Sequence, residues 1–368
     1  MDRHQNSLAK TPLNSVAGQR HSKSKSYQMS CRSCLGGASR FGVTPALTAR
    51  RHNTTRKAAK LHNITEKVNP EQLALLLKKE WQLSYVTPLH QFKHTQLKSY
   101  SRRLAAFVTA EKQVGVAVEA AAPQSSYKAS FSVVQGLAET DDDAETIYIE
   151  IQSKPLFARH DESLRTVWSG WLTCINANPE YVRSFSGEFV CLPVFASNGA
   201  EPFSSLVKVW FQQIFDCCFG PLEISNMNLQ WLVALWINCH PEVNIKHLKL
   251  DWTFPVAPPL EVAYTVHPQA AWKLWSSVRK DPKDRREEEE EDEDEGSIYI
   301  EEVMSFMQGL KTHFYRHFRL DLSAASLNQV ATAAASAKHS GRIKISSSRY
   351  MITTLTLLTE CALLKMPI

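Results

Sequence analysis

Two apolar helical stretches separated by a Gly-Pro break, residues 204–239, limit what this chain can fold into more than any other segment. In the first, Leu206, Val207, Val209, Trp210, Phe211, Ile214, Phe215 and Phe219 spread over most of a helical wheel. A helix that is apolar nearly all round is buried on most sides. Gly220-Pro221 predicts its stop, glycine and proline being the usual punctuation at a helix end. Leu229, Leu232, Val233, Trp236 and Ile237 then recur at helical spacing and predict a second buried helix. Two such helices need packed layers around them. The 9 Trp, 16 Phe and 10 Tyr can supply these, since an aromatic side chain buries about 150–250 Å².

The surrounding pattern is mixed. Asn69-Pro70-Glu71 reads as an N-cap followed by proline at the first helical position, and Leu73, Leu76, Leu77 and Trp81 mark one face of a short helix. An extended piece follows at 85–93, then a helix over about 96–113. The period next shifts to two: residues 115–120, 127–137, 146–153, 167–175 and 188–195 read as strands. Residues 248–256 and 260–266 predict a hairpin around Ala257-Pro258-Pro259, and Pro268 opens a helix with Trp272 and Trp275. Val303, Phe306, Met307, Leu310 and Phe314 build another helix. Residues 318–322 and 342–346 read as strands, and a final helix carries Ile352, Leu355, Leu358, Ala362 and Leu363. The fold class expected is α+β: a largely antiparallel sheet covered by buried helices, with a disordered basic N-terminal arm. The 204–239 helices are its natural cover.

Charge is segregated. Residues 1–62 carry 12 Lys/Arg against the single Asp2, whereas 287–295 are nine consecutive acids. Residues 1–66 are therefore expected to be a disordered arm, too poor in apolar side chains to offset chain entropy. Residues 67–280 are read as the main α+β domain, 281–297 as a disordered acidic loop, and 298–368 as a C-terminal α+β portion that dimerises. Arg50-Arg51-His52-Asn53-Thr54-Thr55-Arg56-Lys57 is a basic cluster of the nuclear-import or nucleic-acid kind. A mitochondrial transit peptide shares that composition, but the first 30 residues show no clear amphipathic face. No run reaches the roughly 18 apolar residues of a membrane span. The irregular cysteines fit reduced thiols better than a disulfide framework.

No catalytic constellation is visible. The glycines form no phosphate-cradling pattern, and no nucleophile elbow or zinc-protease helix is present. Cys31 and Cys34, with only His21 and His52 nearby, fall short of a four-ligand zinc site. His313 and His317 stand four apart on a helix and read as a polar face rather than a metal site. No cofactor is expected.

Several stretches together resemble one inner-kinetochore family, that of centromere protein L. They are Thr87-Pro88-Leu89, YSRRLAAFVTAEKQVGVAVE at 100–119, Trp168-Ser169-Gly170-Trp171, FVCLPVFASNGAE at 189–201, WFQQIFDCCFGPLEISNMNLQW at 210–231, HFYRHF at 313–318 and ASAKHSGRIKI at 335–345. The resemblance runs in order over about 68–366. It implies a non-enzymatic subunit that heterodimerises with centromere protein N through its C-terminal half. It also implies assembly with centromere protein C and the centromere protein H, I, K and M group, and a hold on DNA of the centromeric nucleosome or its linker. The implied location is the nucleus, at the centromere and kinetochore of the chromosome, with no membrane contact.

For the partner surface, the last strand and helix offer Ile343, Ile345, Tyr350, Ile352 and Leu355, since a terminal strand can extend a sheet across a partner; the same residues could instead close the chain's own core. For DNA, Arg102, Arg103, Lys112, Lys246, Lys249, Arg342 and Lys344 are the candidates, phosphate contact needing only Lys or Arg on an open face. A nucleic-acid-binding protein acting through the basic arm, and an enzyme with an unmotifed site, are the other two classes.

Overall fold

The computed structural model describes residues 55–57, 67–113, 127–154, 164–239, 247–279 and 297–366. Three residues of the expected disordered arm form a strand, β1 (Thr55–Lys57). The first helix, α1 (Pro70–Leu76), is capped by Asn69, whose Oδ1 accepts from the Glu71 amide at 2.9 Å. Trp81 does not lie on it as the spacing suggested. Lys78 turns the chain at φ 65°, and Trp81 falls in β2 (Glu80–Val86), where its indole donates to the Leu76 carbonyl at 2.8 Å.

A short β3 (Leu89–His90) and α2 (Leu97–Gln113) precede β4 (Tyr127–Val134), β5 (Thr146–Ser153) and β6 (Arg165–Thr173). The one-turn α3 (Pro179–Arg183) and β7 (Phe189–Val190), which pairs with β3, lead into β8 (Val194–Gly199) and α4 (Glu201–Phe215). After β9 (Phe219–Pro221) come α5 (Asn226–Asn238), β10 (Leu248–Phe254), β11 (Leu260–Val266) and α6 (Pro268–Val278). The chain continues through β12 (Ser297–Tyr299), α7 (Ile300–Phe318), β13 (Ser326–Ala331), β14 (Ala335–Lys338), β15 (Arg342–Ile345) and α8 (Met351–Lys365). The strand expected at 115–120 lies outside the described residues.

Among the described residues, eleven strands join in one antiparallel sheet of order β11-β10-β13-β14-β15-β2-β8-β6-β5-β4, with β9 also on β2. The α+β class is as expected, but the sheet does not rest on a single helical layer. Along β2, Trp81 and Leu83 enter one core while Val86 enters another; along β5, Tyr148 enters the first and Ile147, Ile149 and Ile151 the second. The strand period of two thus sorts alternate side chains to opposite faces. The sheet is the partition between two cores.

The two helices of the 204–239 stretch lie on opposite sides of that partition. Helix α4 places Val207, Trp210, Phe211 and Phe215 in the core over β4–β8, beside α2, and Ser204 Oγ accepts from the Trp168 indole at 2.9 Å. Helix α5 buries Leu229, Trp231, Leu232 and Trp236 in the other core, with α6, α7 and α8. The first helix also ends earlier than Gly220-Pro221 suggested: Asp216 takes a left-handed cap at φ 46°. Residues 219–221 are instead a strand, and a Cβ on Gly220 would stand 2.3 Å from the Tyr85 ring. The glycine serves close strand packing, not a helix stop.

The strand expected at 318–322 is absent. Arg319 ends α7 in a left-handed cap, and a single turn of tighter helix follows at Leu322–Ala324. In α8 the buried threonines are bonded: the Trp236 indole donates to Thr354 Oγ1 at 3.0 Å and the Ile175 amide to Thr359 Oγ1 at 3.2 Å.

Candidate functional site

Core lies on both faces of the sheet around β6 and β8, but on only one face over β10–β15. On the other face, Lys249 and Asp251 on β10, Gln329 on β13, Ser336 and Lys338 on β14, Arg342 and Lys344 on β15, and Glu80 and Gln82 on β2 point away from the core, and no described element covers them. Register aligns them in two rows. One runs Lys249, Ala331, Ser336, Lys344, Glu80; the other runs Asp251, Gln329, Lys338, Arg342, Gln82.

Some of these charges are compensated. Lys249 pairs with Asp251 at 3.0 Å and Lys338 with Glu80 at 3.6 Å, both in partial solvent. Arg342 Nε donates to Gln82 Oε1 at 3.2 Å. Neither Arg342 nor Lys344 makes an ion pair among the described residues, and Lys338 and Arg342 stand directly opposite one another. Like charges opposed across strands are destabilising; here the Glu80 carboxylate offsets part of that opposition at Lys338. The β14–β15 turn is rigid. Gly341 sits at φ 76°, where a Cβ would stand 2.3 Å from the Leu222 carbonyl oxygen. His339 Nδ1 donates to the Ile224 carbonyl at 2.8 Å.

The seven residues expected to meet DNA therefore divide. Lys249, Arg342 and Lys344 share the open face, and Lys338, which sequence reasoning missed, joins them. Arg102 and Arg103 are exposed on α2, over β4. Five strand steps separate β4 from β15, about 24 Å at the usual strand spacing. Lys112 Nζ sits 4.6 Å from the Phe203 ring centroid, packed on an aromatic rather than standing free. Lys246 lies outside the described residues.

Of the two roles open to the five residues expected at a partner surface, their burial fits closing the chain's own core. β15 is paired on both sides, by β14 and β2, so it has no free edge to offer. Ile343, Ile345, Tyr350, Ile352 and Leu355 are all buried in the chain's own core. The sheet ends instead at β4 and β11. β11 has Leu260 about half exposed at its start, and its Tyr264 ring lies 5.1 Å from Phe314, which stacks at 4.6 Å on Phe318. Phe318 is 62% exposed. His313 bonds the Tyr264 hydroxyl and packs on His317, so the helix-spaced pair belongs to this corner. No group of three or more metal-ligating side chains occurs among the described residues, and no described helix is long and apolar enough to cross a membrane. Cys31 and Cys34 lie outside them.

Among the described residues the chain is thus an α+β protein built on one broad antiparallel sheet, with a charged face left uncovered toward one end and exposed apolar side chains near its β11 edge. Comparison with known proteins specifies the family. The sequence model of centromere protein L matches residues 75–363. The chain is 53% identical to centromere protein L of Danio rerio over 94% of its own length and 90% of that protein's. It is 38% identical to the Homo sapiens protein of that name over 84% and 86% of the two chains, and 37% identical to that of Gallus gallus over 81% and 83%. The chain belongs to the centromere protein L family.

Proposed function

We propose that this chain is a non-catalytic structural subunit of the inner kinetochore, working in the nucleus at the centromere during chromosome segregation. In this reading it pairs with centromere protein N, joins centromere protein C and the centromere protein H, I, K and M group, and helps hold centromeric DNA. Family membership supports the place. The observation behind the DNA role is the opposition of Lys338 and Arg342 on an uncovered sheet face beside Lys344. Phosphates are the natural counter-charge for such a strip, and contacts of this kind are independent of base sequence. Arg102 and Arg103 serve in it as a second, separate contact.

For pairing, the free edge of β11 with exposed Leu260 and Phe318 supports strand addition better than the interior β15 does. Co-expression with centromere protein N and size-exclusion chromatography test this. Leu260→Lys with Phe318→Asp is expected to abolish co-elution while each chain stays folded. Co-elution unchanged by that double substitution, or a wild-type chain that ignores centromere protein N, would sink the pairing proposal.

A further inference from the structure

The strand β1 comes from the basic cluster of the arm and is held in a built cleft. Its three residues pair antiparallel with β12, Thr55 opposite Tyr299, Arg56 opposite Ile298 and Lys57 opposite Ser297. The pair forms a sheet of its own, and two strands alone are marginal in water. What fixes it is one side chain. The Arg56 guanidinium lies 5.0 Å from the ring centroid of Trp231 on α5 and forms an ion pair with Glu360 on α8. Its side chain is 11% exposed, and Nε is buried with no hydrogen-bond partner among the described residues. A planar cation stacked on an indole and clamped by a carboxylate is arginine chemistry; lysine has neither the plane nor the fork. Trp231 and Ile298 both belong to the core that α5, α7 and α8 build, so the floor of the site is made by the folded body and not by the arm.

We propose that the cleft between β12, Trp231 and Glu360 is a recognition site for an extended peptide with a central arginine, occupied in cis by residues 55–57 and open to an arginine-bearing strand of another chain when these leave. Backbone pairing supplies the strand-addition part of the binding and the arginine pocket supplies the selectivity. The nine residues between Lys57 and Lys67 tether the cis strand. A short tether of that kind gives an effective concentration on the order of millimolar. The cis strand therefore excludes weak competitors and yields to strong ones. The proposal is independent of the centromere reading.

The test uses the full-length chain and a fluorescent peptide of the sequence at 50–62. Arg56→Ala in the chain empties the pocket, and the peptide is expected to bind that variant at least about tenfold more tightly than wild type, where the cis strand competes. Adding Glu360→Gln to Arg56→Ala should abolish the gain, as should alanine in place of the peptide's arginine at position 56. Arg56→Lys, which keeps the charge and spares the fold, should give an intermediate affinity and faster amide exchange at residues 297–299. Equal binding to wild type and Arg56→Ala would overturn the proposal. So would no binding to either, or binding of a scrambled peptide of the same charge as tightly.

Discussion

Lys338 and Arg342 face each other directly across the β14–β15 ladder, two positive side chains on a sheet face that no described helix covers. Their opposition is unfavourable, while the ion pair of Lys338 with Glu80 works the other way in partial solvent. Lys338→Thr removes both effects and should leave the stability of the isolated chain in urea within about 0.5 kcal/mol of wild type. If the chain holds DNA within the proposed pair with centromere protein N, the same substitution, or Arg342→Gln, should weaken duplex binding by that pair. Removing one phosphate-binding cation should reduce the salt slope by about 1. An unchanged salt slope in both variants would remove this face from the DNA reading.

Trp210 and Trp236 anchor the two cores on opposite sides of the sheet. Alanine at either should cost about 3–5 kcal/mol, measured by chemical denaturation. For Trp236 the loss also leaves Thr354 without its indole donor, so Trp236→Phe should still cost about 1–3 kcal/mol. Trp210 has no such partner among the described bonds, and Trp210→Phe should be milder.

Gly341 holds a backbone conformation that only glycine adopts freely, pressed against the Leu222 carbonyl. Gly341→Ala should destabilise the chain by about 1–3 kcal/mol. Because β15 pairs with β2, the damage should spread, and amide exchange should accelerate at residues 80–86 as well as in the turn.

Burial pushes the Cys361 thiol up to about 12 and also lifts those of Cys217 and Cys239 above the ordinary 9.0. In the unfolded chain these thiols ionise around that ordinary value while the folded chain keeps its protons. Their contribution to stability is thus complete below about pH 9 and declines as pH rises toward about 12. The urea midpoint should fall between about pH 8 and pH 10.5, and the native thiols should resist alkylation at the lower pH. Replacing Cys361 by alanine should shrink the pH dependence.

Local pattern was legible wherever one period dominated. The alternation in residues 146–153 marked β5, and the caps at Asn69 and Pro268 marked two helix starts. Three features were not legible. Ala335–Lys338 is built from small and polar residues, and Ser326–Ala331 has only Leu327 and Val330 as large apolar side chains, not at alternate positions, so β13 and β14 owe much to neighbours on both sides rather than to their own propensity. The burial of Ile343 and Ile345 on an interior strand follows from strand order, which no spacing reveals. Lys338 was missed because its importance lies in facing Arg342, a relation of register. The three-residue strand around Arg56 was invisible because one cation in a basic cluster looks like the rest. It is singled out only by Trp231 and Glu360, about 175 and 304 positions away.

The position of β2 in the sheet has a consequence for synthesis. Its partner on one side is β8; the other edge is shared, β9 taking Ser84–Val86 and β15 taking Glu80–Gln82, where Arg342 meets Gln82 across 260 residues. While the chain emerges from the ribosome, the Glu80–Gln82 half of that edge stays unpaired until β15 has been made. An exposed edge of that kind invites pairing with any nearby strand. A stop codon just ahead of β15 would leave that half-edge permanently bare, in a product expected to be fit for degradation and not for assembly.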